Sequence, residues 1–432
     1  MGHIEERYDV LIAGTGAAGL CCALNLPRTA RVLLITKDAA DRSDSFLAQG
    51  GICMLRGEAD FAGYFEDTMR AGHYENDEAA VRQMIARSPA MIEELVGYGV
   101  RFARDEGGNF RFTREGGHSR PRILFHDDVT GKEITSKLLA LAKGRENIEI
   151  RPQTELLDII AEGGECFGGV LRSNADGEVY PVYAAFTLLA TGGVGGLFRH
   201  STNYPHLTGD GVAIALKNGA EVEHIDYVQI HPTTFYSKKP GRRFLISESV
   251  RGEGAVLLDK DGRRFCNELL PRDIVTGDIR AQMKKDGTDH VWLDMRPVGE
   301  KALAEHFPTI CARCREEGFD PFREPVPVVP AQHYFMGGVR VDLDGKTNIK
   351  RLFAAGETAC NGVHGKNRLA SNSLLESLIW AERAAKCMAA SRTEVSPRTP
   401  AADLSAYRAY AALKQEYAKM IREEAEREAY ID

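Results

Sequence analysis

Five basic side chains fall in loop-like surroundings: His231 within Gln229-Ile230-His231-Pro232-Thr233, Arg251 within Val250-Arg251-Gly252-Glu253-Gly254, Arg272 within Pro271-Arg272-Asp273-Ile274-Val275, His333 within Ala331-Gln332-His333-Tyr334, and Arg368 within His364-Gly365-Lys366-Asn367-Arg368. Each alone reads as a surface or capping residue. As a set, flanked by prolines and glycines, they can enclose a small dianion, because a guanidinium grips a carboxylate through two parallel N–H bonds.

A second stretch carries a different chemistry. The apolar run Val10–Ala13 leads into Gly14-Thr15-Gly16-Ala17-Ala18-Gly19, after which Leu20 and Ala23 continue a helical pattern. Strand, glycine turn and helix in that order make a dinucleotide site. Gly14 permits the tight turn, Gly16 lets backbone N–H groups approach a pyrophosphate, and Gly19 brings helix and strand together, so the phosphates meet the positive helix N-terminus. The next strand, 31–36, ends in Thr36-Lys37 rather than the acid that usually holds an NAD ribose. That weakens an NAD reading; Lys37 lies by a phosphate or ribose, or else at a solvated strand end. Asp44-Ser45-Phe46-Leu47-Ala48-Gln49-Gly50-Gly51 reads as a loop pressing its backbone on a flat or anionic group, with a plain turn as the alternative. Asp210, in Thr208-Gly209-Asp210-Gly211, caps a helix or holds a sugar hydroxyl.

These residues need a frame to position them. Patterning predicts helices over 75–97, 131–143, 212–218 and 372–389, the last with Asn372 as N-cap, and strands at 148–150, 184–190 and 352–357. Residues 156–160 and 167–171 read as a small antiparallel pair. Residues 110–122 are polar, basic and broken by glycine, so they line a cleft or face water. Between 221 and 332 short strands and turns mix with helices, the mark of an inserted domain. Residues 391–403 read as a linker, followed by a charged amphipathic helix over 404–429.

The 432 residues suffice for two or three domains, and a net charge of -7 argues against a nucleic-acid partner. Glu5, Glu6, Arg7 and Asp9 interrupt the first residues, so no signal peptide is expected. No apolar run reaches the roughly 18 residues of a membrane span. Nine scattered cysteines fit reduced thiols in a cytoplasmic protein. Cys311 and Cys314 lack the second half of a zinc site and read as incidental thiols, so no metal is expected.

Taken together, the glycine turn, Ser45-x-x-Ala48-Gln49-Gly50-Gly51, Thr191-Gly192-Gly193, Thr208-Gly209-Asp210-Gly211, His231-Pro232-Thr233, Arg251-Gly252-Glu253-Gly254, Arg272-Asp273-Ile274-Val275 and Ala355-Gly356-Glu357 resemble the succinate dehydrogenase/fumarate reductase flavoprotein family. Within it, Thr113-Arg114-Glu115-Gly116-Gly117-His118-Ser119 and the run from His364 to Glu376 look like the L-aspartate oxidase branch. The resemblance covers residues 7–390. It implies an α/β chain: a Rossmann-like FAD-binding domain of the glutathione-reductase type (1–220 and 333–392), an inserted α+β capping domain (221–332) and a shortened helical segment (404–432).

The same resemblance implies FAD held by Gly14, Thr15, Gly16, Ala17, Ala18, Gly19 and Lys37, by the loop Asp44–Gly51, by Asp210 and Glu357, and by Ser373 and Leu374 at the ring. It assigns His231, Ser247, Glu248, His333 and Arg368 to a dicarboxylate, Glu115 to a substrate amine, and Arg272, beside Arg251, to proton transfer or charge stabilisation. Succinate-type members attach FAD through a histidine five residues before the Gln of the A-Q-G-G motif. Here that position is Asp44, so noncovalent FAD is expected. The implied reaction passes a hydride from Cα of L-aspartate to the flavin, with O₂ or fumarate as acceptor, as the first step towards quinolinate and NAD. Quinolinate synthase would consume the iminoaspartate, and the chain would be a monomer or weak homodimer. The alternatives are a soluble fumarate reductase or succinate-oxidising flavoprotein, and a flavin sensor without turnover.

Overall fold

The computed structural model describes residues 6–239, 241–391 and 399–429. Its main body is a seven-stranded sheet. Every residue of Val10–Ala13 and of the strand Val32–Ile35 is buried, as for strands covered on both faces. The first strand, Glu6–Ala13, pairs in parallel with Val32–Ile35 on one side and Val179–Leu189 on the other. Ile148–Arg151 lies outside Val32–Ile35, and Leu352–Ala354 joins the C-terminal half of Val179–Leu189. The antiparallel strands Glu165–Ser173 and Thr154–Glu162 extend the sheet from the N-terminal half of that same strand.

Helices cover both faces. Ala17–Asn25, Glu78–Gly97, Thr130–Lys143 and Ser373–Ser391 form one layer, with Trp380 fully buried in it. Asp210–Lys217 and the C-terminal helix Tyr410–Ala429 form the other. A second, four-stranded sheet gathers Val228–Phe235, Val326–Phe335, Val291–Asp294 and Val256–Leu258, and the helix Arg272–Asp286 packs against it. The strand Val326–Phe335 passes residue 332 without a break, so it ties this second sheet to the main body. Cys311 and Cys314 lie in the cap core, where burial pushes their thiols up to about 11 and about 12.

Three expectations change. The stretch 110–122 is more than a cleft lining. Arg122 within it is fully buried, its guanidinium bonded to Asp60 and, at 2.6 Å, to Asp67. Asp67 belongs to a helix, Phe61–Ala71, that the patterning above leaves out; Phe61, Tyr64, Phe65 and Met69 recur on its inner face, with Asp67 buried among them. Asn372 does not cap its helix through its side chain: the amide oxygen accepts from Tyr64 Oη at 2.7 Å and the amide nitrogen donates to Thr68. The loop 44–51 begins with one helical turn, Asp44–Leu47. Residues 392–398 of the expected linker lie outside the described residues. Among the described residues no helix is long and apolar enough to cross a membrane.

Candidate active site

One long cleft runs from the glycine turn to the cap. Gly14 has φ +119°, and a Cβ there would stand 2.0 Å from Ala190 O, so only glycine lets the turn pass the neighbouring strand end. Gly14 to Ala18 line the cleft, as do Lys37, Asp44, Ser45, Leu47 to Gly51, Asp210, Glu357, Ser373 and Leu374. Gly19 and Phe46 do not. Gly19 instead lets helix meet strand, since a Cβ there would lie 1.9 Å from Gly14 O, and Phe46 packs on the core.

The lining fits a long polar ligand. Thr15 Oγ1, Ser43 Oγ, Asp44 Oδ2 and Gln49 Oε1 are buried in it without a partner in the chain, and buried polar atoms are rarely left so. Burial pushes the Asp44 carboxyl up to about 7. It also pushes Glu357 up to about 8, helped by the charge of Asp44.

At the cap end the basic residues converge. Arg272, first residue of its helix, donates through Nε to Glu248 Oε2 at 2.6 Å and through Nη1 to Gln229 Oε1 at 2.7 Å. Arg368 donates to Ser373 Oγ at 2.9 Å and lies over the Tyr334 ring at 4.4 Å, with its Nε unpartnered. The rings of His231 and His333 meet edge to face at 5.1 Å. Burial, then the Arg272 charge, holds both imidazoles well below their ordinary value, so both are neutral, and His231 Nε2 has no partner. His333 Nδ1 is tied to Thr202 Oγ1 at 2.8 Å. Arg368 is lowered to about 10 by burial and the nearby Arg272. Ser247 lines the cleft beside Glu248 and caps the helix Glu248–Gly252. Burial alone would raise Glu248, but Arg272 and Arg251 hold it below the usual carboxylate range.

Glu115 lies against the helix Glu248–Gly252. One carboxylate oxygen accepts from Ser249 Oγ at 2.7 Å and the other from Ser371 Oγ at 2.6 Å. Burial and the neighbouring Glu248 raise it. A Cβ at Gly50 would come within 2.7 Å of Glu115 Oε1, so Gly50 clears the space for this acid.

Arg251 stands apart from the other basic residues: its side chain does not line the cleft, but donates to Glu268 O and lies 3.8 Å from Glu248. Three residues with a part in the site escape the sequence reading. Gln229 bridges Arg272 to Asn367 and to Arg368 O, while Ser249 and Ser371 hold Glu115. Gln229 stands inside the His231 motif, so its polarity was on view. Ser371 betrays itself only through its left-handed backbone, φ +62°.

A family model described as an FAD binding domain matches residues 9–374. The chain is 48% identical over 383 residues to an L-aspartate oxidase of Clostridium perfringens, covering 88% of this chain and 87% of that one. It is 43% identical to an L-aspartate oxidase of Clostridium acetobutylicum, with the same two shares. Among solved structures, FrdA of E. coli quinol fumarate reductase superposes with a TM-score of 0.85 at 30% identity, over 96% of this chain and 74% of that one. The turn, the cleft and these likenesses agree, and the chain belongs to the L-aspartate oxidase family of FAD-binding proteins.

Proposed function

We propose that this chain binds FAD in the cleft and oxidises L-aspartate to iminoaspartate, feeding NAD biosynthesis. The observation that carries the reading is the meeting of Arg272, Arg368, His231 and His333 with the buried Glu115 in one cleft behind a dinucleotide turn. Cations and neutral imidazole donors suit two carboxylates, whereas an acid facing them suits an amine. A purely dicarboxylate site has no use for Glu115.

The reaction removes a hydride from Cα and a proton from the amine nitrogen, leaving a C=N bond. FAD, when bound, supplies the acceptor for the hydride and passes the electron pair to O₂ or fumarate. Everything else falls to side chains. Arg368, His231 and His333, with Ser247, bind the carboxylates and fix the orientation of Cα. Holding the substrate in one pose removes much of the entropic barrier. Glu115, kept in place by Ser249 and Ser371, accepts hydrogen bonds from the amino group. Arg272 takes up the amine proton only as it passes its own Nε proton to Glu248 Oε2, so the pair relays one proton and the guanidinium ends with the charge it began with. The cap covers this end of the cleft and keeps water from the imine.

The reading extends to quinolinate synthase as consumer of iminoaspartate, to noncovalent FAD, to a cytoplasmic location and to a monomer or weak homodimer. It is tested anaerobically. FAD is released by acid to show that it is not covalently held, and the flavin band at about 450 nm is then followed after adding L-aspartate or succinate. Bleaching by L-aspartate alone, reversed by air or fumarate, is expected. Bleaching by succinate alone would make the chain a succinate-oxidising flavoprotein, and no bleaching by either would make it a sensor.

A further inference from the structure

The C-terminal helix Tyr410–Ala429 takes no part in the chemistry above, yet it delivers a lysine to the other end of the same cleft. Leu413, Tyr417 and Ile421 are buried on the body, and Tyr417 Oη donates to Leu157 O at 2.6 Å. Ile421 fills the space at the turn before Asp210, where a Cβ on Gly209 would come within 2.3 Å of it. From this seat Lys414 Nζ reaches Glu155 Oε1 at 2.7 Å and pairs with Asp210, while Tyr410 Oη donates to the other Glu155 oxygen. Lys37 shares the same two carboxylates: it pairs with Asp210 and stands 3.6 Å from Glu155. Lys37 and Asp210 line the cleft, whereas Glu155 and Lys414 stand behind them.

Two ammonium groups thus face two buried carboxylates. Burial and the charge of Lys414 push Lys37 down to about 7, and despite burial the two lysines hold Glu155 below its ordinary value. If Lys37 were alone, it would be the counter-ion of both acids beside a ligand that itself carries a pyrophosphate. Unpaired buried anions of that kind repel strongly at low local dielectric.

We propose that Lys414 is a positioning residue for FAD: it neutralises Asp210 and Glu155 from behind and so releases Lys37 to serve the bound dinucleotide. The inference rests on the FAD reading above. It gives the C-terminal helix a defined task, the electrostatic completion of the cofactor site.

The test is an FAD titration of the apoprotein, read by quenching of flavin fluorescence and by the FAD-induced shift in melting temperature. Lys414→Met is expected to raise the Kd by about tenfold, with Lys414→Gln as a substitute should the first variant not fold. Lys414→Arg should restore most of the affinity. Tyr417→Phe loses a helix contact without touching the charges, and should bind as the wild type does. An unchanged Kd in Lys414→Met would overturn the proposal, as would an equal loss in Tyr417→Phe, which would reduce the effect to helix docking. A wild type that binds no FAD would instead overturn the cofactor reading itself.

Discussion

Glu248 meets Arg272 through one contact, Oε2 to Nε at 2.6 Å, while the Arg272 Nη1 is held by Gln229 at 2.7 Å. The guanidinium is therefore anchored by an acid of the cap and by a residue that reaches across to Asn367 and Arg368. Arg272→Leu removes the group at the proton's exit and is expected to lower kcat by about 100- to 10,000-fold, the usual range for a positioned proton-transfer group. FAD binding should stay close to wild type, while the melting temperature falls because Glu248 loses its nearest buried counter-ion. Steady-state turnover decides; wild-type kcat would remove Arg272 from the chemistry.

Arg368 lies over Tyr334 with one nitrogen unpartnered and a lowered pKa, the state of a cation awaiting its anion. Arg368→Leu should raise KM for aspartate by about 100-fold, since losing one partner of a buried charge pair typically costs 2 kcal/mol or more. The FAD Kd measured in parallel should not move. A KM within error of wild type would place the substrate elsewhere.

Glu115 separates amine recognition from carboxylate recognition. Glu115→Gln keeps the bonds to Ser249 and Ser371 in outline but removes the negative charge. Aspartate oxidation should fall by about tenfold or more, while fumarate reduction, which has no amine to bind, should change by less than about threefold. Equal losses in both assays would refute the amine role.

His118 links the Glu115 loop to the buried Arg122. Its Nδ1 accepts from Arg122 at 3.0 Å and its Nε2 donates to Ala370 O at 3.0 Å, so the ring is neutral. Burial, then the Arg122 charge, pushes it down to about 4. An unfolded histidine titrates near 6.5, so below that pH the unfolded chain takes up a proton that the native chain refuses until about pH 4. The contribution is thus complete above pH 6.5 and lost on acidification, by about 2 kcal/mol at pH 5. Urea unfolding at pH 7 and pH 5 measures it. His118→Gln should lose less stability between the two than the wild type, and identical losses would exclude His118 as a source.

How much of this was legible beforehand follows from the range of the interactions. The glycine turn and the apolar strands around it are local: a run such as Val10–Ala13 can be buried on both faces and little else. The five basic residues could be named from their surroundings, and His231, Arg272, His333 and Arg368 do meet in the cleft. Arg251 does not, because the turn of its short helix carries the side chain behind Glu248, a direction that residue type leaves open.

Sequence by itself therefore determined the dinucleotide frame, which depends on backbone stereochemistry, and set out a group of cations suited to an anionic ligand, while FAD and the individual site residues came from the resemblance to a flavoprotein family. Only the tertiary structure decided which of two neighbouring arginines reaches the cleft, that Ser249 and Ser371 grip Glu115 across 134 and 256 residues of chain, and that Lys414 stands behind Asp210. Those pairings depend on side chains brought within about 3 Å by the packing of distant elements, and no periodicity along the chain encodes so long a reach.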